Sequence, residues 1–354
     1  TLFLVCKTRK SSIMKSTTLP GILLLISLLI GCGSDNDSSS NATQQNTAST
    51  DAQTDPAATA EDAMILRHRF TEGQRMDYLE TMSAANKYPM LDTETSFEME
   101  TAFHVIVDAV EEDGSASMTW TNDRMKMKLQ GTGGTLRFDS ADGEEPDIPE
   151  WQQMRGVFFP IQYVQFTFRV TTDGIISDVK LSEAAAARLE KDPTLAFVFS
   201  QSSLQENPRK LFHLLPAKPV KPADTWNHVI SSEAMPGAKI EIELTNTYQG
   251  LENVDGQQLA LLKQTRKTKT KFGPESFFTQ TYKDDLTSGS EWFDPKIGWF
   301  VKTDDTMAMT TVTKQAGISI EAEQTIKMGL RLVPPPTADP DSENTTDATK
   351  PTTP

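Results

Sequence analysis

The chain has 354 residues and a formal net charge of −15, with 37% hydrophobic residues. Such acidity argues against nucleic acid as a partner, because phosphate contacts need positive charge, and against broad docking on anionic lipid. The apolar content is below the usual globular range, which places part of the chain outside any core.

The N-terminal part reads first as an export signal. Met14-Lys15 precede an almost unbroken apolar run from Ile22 to Ile30. A basic start followed by a short apolar stretch is the pattern of a signal peptide, and the run is too short to span a bilayer of about 30 Å. Met14 is the expected start, which leaves Cys6 outside the product and residues 1–31 as the signal peptide. Those residues hold four bases and no acid, so their removal takes the net charge to −15 − 4 = −19. The run ends on Leu29-Ile30-Gly31-Cys32 and turns at once into Gly33-Ser34-Asp35. This resembles the lipobox of bacterial lipoproteins. The resemblance implies that Leu29, Ile30 and Gly31 are recognised by signal peptidase II and that Cys32 carries the lipid. It also implies that the partner is the membrane, reached through N-terminal acyl chains. Gly33 in place of Asp after the cysteine implies the outer membrane. One acyl chain binds only marginally, at about 0.8 kcal/mol per buried CH₂, so lasting attachment needs two or three.

Residues 32–62 follow as the lipidated cysteine and a Ser-, Thr-, Asn- and Asp-rich stretch whose composition cannot offset the entropy of ordering. It is expected to act as a disordered tether with a root-mean-square reach of roughly 30 Å. Residues 334–354 have the same composition and are expected to be a disordered tail. Residues 63–333 remain, enough for a sizeable core.

From Ala63 onward the dominant period is two. Phe97, Met99, Thr101, Phe103, Val105 and Val107 fall on one face, with Glu98, Glu100, His104 and Asp108 on the other. Val164 to Val170, Ile240 to Leu244, Met307 to Thr311 and Ile318 to Ala322 repeat the pattern. Each predicts a half-buried antiparallel strand. Asp113-Gly114, Asp173-Gly174, Asp255-Gly256 and Asp294-Pro295 supply turns between them.

One stretch breaks the period. Ala184–Ala187 favour helix with Ser182 as cap, and Asp192-Pro193 and Asn207-Pro208 each place a capping residue before a proline at a first helical position. Two or three short helices are expected over 182–216, with Leu195, Val198, Phe199, Leu211, Phe212 and Leu215 as their apolar face. The overall expectation is a mainly β protein. Antiparallel sheets form two similar halves, 63–181 and 217–333, joined by the helical connector. Three sequence parallels suggest a duplication: Phe70 and Met76 against Val220 and Trp226, the Asp113-Gly114 turn against Asp255-Gly256, and Asp173-Gly174-Ile175-Ile176 against Ile297-Gly298-Trp299-Phe300.

No HExxH, GxSxG, GxxxxGK[ST] or CxxC occurs. His68, His104, His213 and His228 are isolated and read as solvated or structural. Asp139, Asp142, Glu144, Glu145 and Asp147 crowd one stretch and form a weak calcium candidate. Their spacing is not that of an EF-hand, and a solvated hairpin tip explains them as well. Ser177-Asp-Val-Lys180 matches an SxxK pattern but sits in a strand without its companion motifs. Lys267, Lys269 and Lys271 share one strand face, either as a basic strip for an anionic glycan or headgroup or as protection of an edge strand. Gly131-Thr-Gly-Gly134 reads as a turn, and Met125, Met127 and Leu129 as core. No metal and no cofactor is expected.

In outline the chain resembles curved-sheet carriers of lipids and lipoproteins, and the uncharacterised bacterial lipoproteins with a duplicated β-rich domain. The first implies a non-catalytic envelope lipoprotein holding an apolar ligand. Two alternatives stay open: an envelope scaffold that binds protein and has no cavity, and an unrecognised enzyme.

Overall fold

The computed structural model describes residues 63–334, apart from 91, 133, 143–164, 192–200, 236–237, 273–277 and 316–317. The expectations about the signal peptide, Cys32, the tether and the C-terminal tail lie outside the described residues.

Among the described residues, twelve strands form one antiparallel sheet. In chain order they are β1 (Arg75–Tyr88), β2 (Thr93–Val110), β3 (Ala116–Gly131), β4 (Gly134–Asp139), β5 (Gln165–Val170) and β6 (Ile176–Leu181), then β7 (Thr225–Met235), β8 (Ala238–Val254), β9 (Gln257–Phe272), β10 (Phe278–Asp294), β11 (Trp299–Gln315) and β12 (Ile318–Val333). Among the described residues, the helices α1 (Glu183–Lys191) and α2 (Gln201–Arg209) lie between β6 and β7. The spatial order is β6-β5-β3-β2-β1-β12-β11-β10-β9-β8-β7, with β4 also on β3. The first and last strands therefore meet in the middle, Asp77–Lys87 running antiparallel to Glu323–Val333. Two expected sheets are one.

Beside β3, β4 pairs with Lys126–Gly131 and β5 with Ala116–Thr121. The two short strands thus lie end to end, where the second half has the single long strand β10. All four predicted turns join strands as expected, and Gly131 pairs with Gly134 across the β3–β4 turn.

The period of two places one set of side chains on an inner face. There Tyr78, Phe103, Trp120 and Phe166 stack across β1, β2, β3 and β5 with ring centroids 5.6, 3.9 and 5.7 Å apart. At this end a plug covers them, made from residues 64–70 and from the connector after α2. Phe212 is its hub: it meets Phe168 of β5 at 5.7 Å and Trp299 of β11 at 5.2 Å. In a flat sheet those strands are five spacings apart, about 24 Å. Contact with one ring requires the sheet to curl around the plug. Leu211, Phe212 and Leu215 are buried, as expected of the connector's apolar face.

Ser182 accepts from the backbone N–H of Ala185, 3.3 Å, and caps α1 as predicted. Asn207-Pro208 does not open a helix. Pro208 lies inside the last turn of α2, and its carbonyl accepts from the N–H groups of Leu211 and Phe212, both 2.9 Å. A proline there has no N–H for the carbonyl four residues back, and the helix ends at the next residue, Arg209. Asp192-Pro193 falls outside the described residues.

Candidate functional site

Past the plug, the inner face changes character row by row. The first row carries two acids. Glu80 on β1 and Glu291 on β10 both point inward, and the connector meets each with a base. Lys210 Nζ donates to Glu80 Oε1 at 2.6 Å. His213 Nδ1 lies 2.7 Å from Glu291 Oε1, a charge contact set off the line of a straight hydrogen bond. Gln264 Nε2 of β9 donates to the same Glu291 oxygen and to Asn246 Oδ1 of β8, each at 3.1 Å. Glu291 is only 1% exposed, and its Oε2 has no partner. Asp305 of β11 sits beside this group, opposite Gly289 of β10. A methyl at Gly289 would collide with the Asp305 carboxylate, so the glycine makes room for the acid.

The electrostatics follow from burial. Desolvation pushes Asp305 up to about 6, helped by the Glu291 charge. Burial works to lower His213, but the attraction of Glu291 outweighs it and the net shift is upward. His228 falls to about 4, first from burial and then from repulsion by His213, Arg209 and Arg266. His68 also falls to about 4 from burial, offset by its bonds to the Gly298 and His213 carbonyls.

From β12 to β4 the next row is apolar. Met328, Met82, Met99 and Met127 are direct cross-strand neighbours on β12, β1, β2 and β3, and Phe138 of β4 ends the row. Asp305 is the β11 neighbour of Met328. Below lie Met307, Ile326, Ala84, Phe97, Leu129 and Leu136, again in register. Met125 and Met127 are buried, as the sequence suggested, whereas Met82, Met99, Met307 and Met328 are only partly so.

His213 and His228, read as isolated, are thus brought together with Arg266, Glu291 and Asp305. The sequence does hold a signal for this belt. Glu80, Gln264, Arg266, Glu291 and Asp305 each stand in the apolar phase of their strand, where the period of two calls for a hydrophobic residue.

The other candidates separate. Asp139 is engaged by Arg124, at 2.6 and 2.9 Å, which holds its carboxyl below the usual range. It is therefore not free for calcium. Asp142 is exposed nearby, and Glu144 and Glu145 lie outside the described residues. Lys269 and Lys271 pair with Glu243 and Glu241 of β8 at 2.6 and 3.2 Å. Their strand β9 pairs with β10 over Ala260–Arg266, short of these lysines. Ser177 and Lys180 are exposed on β6. On the outer face His104 contacts both oxygens of Asp123, at 2.8 and 2.9 Å, and Asp77 lies within 4.8 Å. Arg75 already engages Asp77 at 2.6 Å. Among the described residues no helix is long and apolar enough to cross a membrane.

These features define a single-sheet antiparallel β protein with a plugged aromatic end, a buried ionic belt and a methionine-rich inner face. The chain belongs to a family of unknown function, DUF6263, whose profile matches residues 113–299, just over half of it. The match runs from the turn before β3 to the start of β11 and so crosses both halves. No curated protein matches the chain in sequence. Among solved structures it is similar to lipovitellin (11% identity, 75% of this chain, TM-score 0.32), spanning only 26% of that chain. It is also similar to a proposed exported protein with a YmcC-like fold from Bacteroides fragilis (12% identity, 77% of this chain and 100% of the other, TM-score 0.25). A proposed lipoprotein from Parabacteroides distasonis is a third (9% identity, 76% and 98%, TM-score 0.26). At such identities and TM-scores the likeness carries nothing about function.

Proposed function

We propose that this protein is a non-catalytic, lipid-anchored protein of the cell envelope that holds an apolar ligand on the inner face of its curled sheet. The observation that carries the reading is the row Met328, Met82, Met99, Met127, with Phe138 at its end. Unbranched, polarisable side chains in contiguous register make a surface that adapts to flexible apolar shapes. Flanked by a few convergent polar groups, such a face has the composition of a ligand site rather than of a uniform core.

The remaining features of the reading come from the sequence. Cys32 carries the acyl chains, Leu29, Ile30 and Gly31 direct cleavage, and the outer membrane is the destination. The two halves descend from one duplicated unit, in which the collinear pair β4 and β5 corresponds to β10. Met76 and Trp226 support this correspondence, since each is the second residue of the first strand in its half.

The test is native mass spectrometry of the protein released from envelope membranes in mild detergent. The expected result is a reproducible added mass, beyond the acyl groups on Cys32, that extracts into organic solvent. A bare mass that does not change on incubation with envelope lipids would refute the carrier reading. Co-release with a stoichiometric protein would replace it with the scaffold reading.

A further inference from the structure

On the inner face one row beyond Asn246 and Gln264, His228 of β7 and Arg266 of β9 flank Leu244 of β8 in direct register. Arg266 Nε and His228 Nδ1 are both sealed from solvent and have no hydrogen-bond partner. Buried polar atoms in native proteins are rarely left so, and the unmade bond of the Arg266 guanidinium, a charged donor, is the costlier of the two. The surroundings sharpen the demand. The charged groups acting on His228 are His213, Arg209 and Arg266, all bases. Among the described residues, Glu291 and Asp305 act on His213, and Glu291 is already held by it. The same row continues through Thr287 to Met307 and so runs into the methionine face.

We infer that the bound ligand is an amphiphile with a single anionic head, a carboxylate or phosphate, which lies over Leu244 between Arg266 and His228 while its chain runs across Met307 toward the methionine row. This rests on the carrier reading and adds the chemical class of the ligand. The backbones of β7 and β9 are two strand spacings apart, about 10 Å. One oxyanion accepting from a side chain on each of them bridges that span. Anion binding completes both unmade bonds and relieves the crowding of like charges.

The test uses the full chain, stripped of bound lipid by organic extraction and refolded, and titrated with four probes: hexadecanoate, methyl hexadecanoate, a hexadecanoyl lysophosphatidate and inorganic phosphate. The expected order is both acids tight, the ester weaker by about 10-fold or more (the loss of one charge-assisted hydrogen bond). Inorganic phosphate is expected neither to bind nor to compete at millimolar concentration. Arg266→Gln should lower the affinity for both acids about 10-fold and leave the ester unchanged, and Arg266→Lys should restore part of the loss. If Arg266→Gln does not fold, His228→Ala gives the same comparison. Equal binding of acid and ester, unmoved by either variant, overturns the anionic head and leaves the apolar carrier intact. Binding of inorganic phosphate as tightly as lysophosphatidate overturns the amphiphile in favour of a free-anion site. Failure of all four probes overturns the head-group inference, and the carrier reading then stands or falls on the native mass alone.

Discussion

Asp305 shows how the inner face couples protonation to stability. Its carboxyl is raised from 3.8 to about 6 because burial and the nearby Glu291 charge disfavour ionisation. A carboxyl raised by folding favours the folded state while protonated. That advantage is whole below about pH 4 and drains away as the pH climbs through 6. Asp305→Asn stays neutral throughout. Urea melts of the two proteins should coincide near pH 4, and by pH 8 the variant should be the more stable by roughly 1–3 kcal/mol. Equal stability at pH 8 would mean that Arg266 and His213 fully compensate the charge. Gly289→Ala probes the same spot sterically. The added methyl runs into the Asp305 carboxylate, and destabilisation of about 1–3 kcal/mol is expected in the same melts. In the sequence these residues were visible only as polar intrusions into apolar strand phases. What joins them is register between strands β8 to β11 and a connector some 80 residues away, and local pattern does not encode either.

At the scale of elements the sequence was most legible where one physical rule acts alone. Period-two alternation located β2, β5, β8, β11 and β12. Asp-Gly pairs located their turns, because both Asp255 and Gly256 adopt positive φ, +50° and +85°, which few residues tolerate. Ser182 located the start of α1. The reading failed where two rules competed. Asn207-Pro208 has the chemistry of a helix start, yet the preceding residues Gln201 to Glu206 already form α2, and the proline falls at its end. The connector that follows has one principal anchor. Phe212 is 1% exposed and touches His68, Phe70, Phe168 and Trp299. Phe212→Ala should cost about 3–5 kcal/mol, as for a large aromatic removed from a packed core. Lys210→Met removes the ion pair to Glu80 but keeps the stem, and because Lys210 is 40% exposed it should cost far less. Chemical denaturation of both variants ranks them, and a larger loss for Lys210→Met would make the ionic belt, rather than the aromatic plug, the principal fastener of the connector.

At the scale of the molecule, the unit of cooperation differs from what two similar halves suggest. β1 and β12 pair over Asp77–Lys87, joining the halves through backbone hydrogen bonds in the middle of the sheet. The aromatic cluster repeats the link, since Trp299 of the second half packs with Phe168 of the first through Phe212. Neither half can open without exposing rings and strand edges of the other. The chain should therefore unfold in one transition, although its length would allow two domains. Tryptophan fluorescence tests this directly, because Trp120 on β3 and Trp299 on β11 are both nearly sealed, at 2% and 0% exposure. In two variants that each retain one of these and carry Phe at the other, with Trp151, Trp226 and Trp292 also replaced by Phe, urea curves from fluorescence and far-ultraviolet circular dichroism should share one midpoint. A Trp120 signal that melts apart from the Trp299 signal would show that each half holds its own core. The β1–β12 seam would then be a contact between domains. One shared midpoint also bears on a ligand seated across the methionine row, whose residues lie on β12 of one half and β1, β2 and β3 of the other. Such a ligand bridges the seam and, by binding only the folded sheet, should raise that single midpoint as a whole.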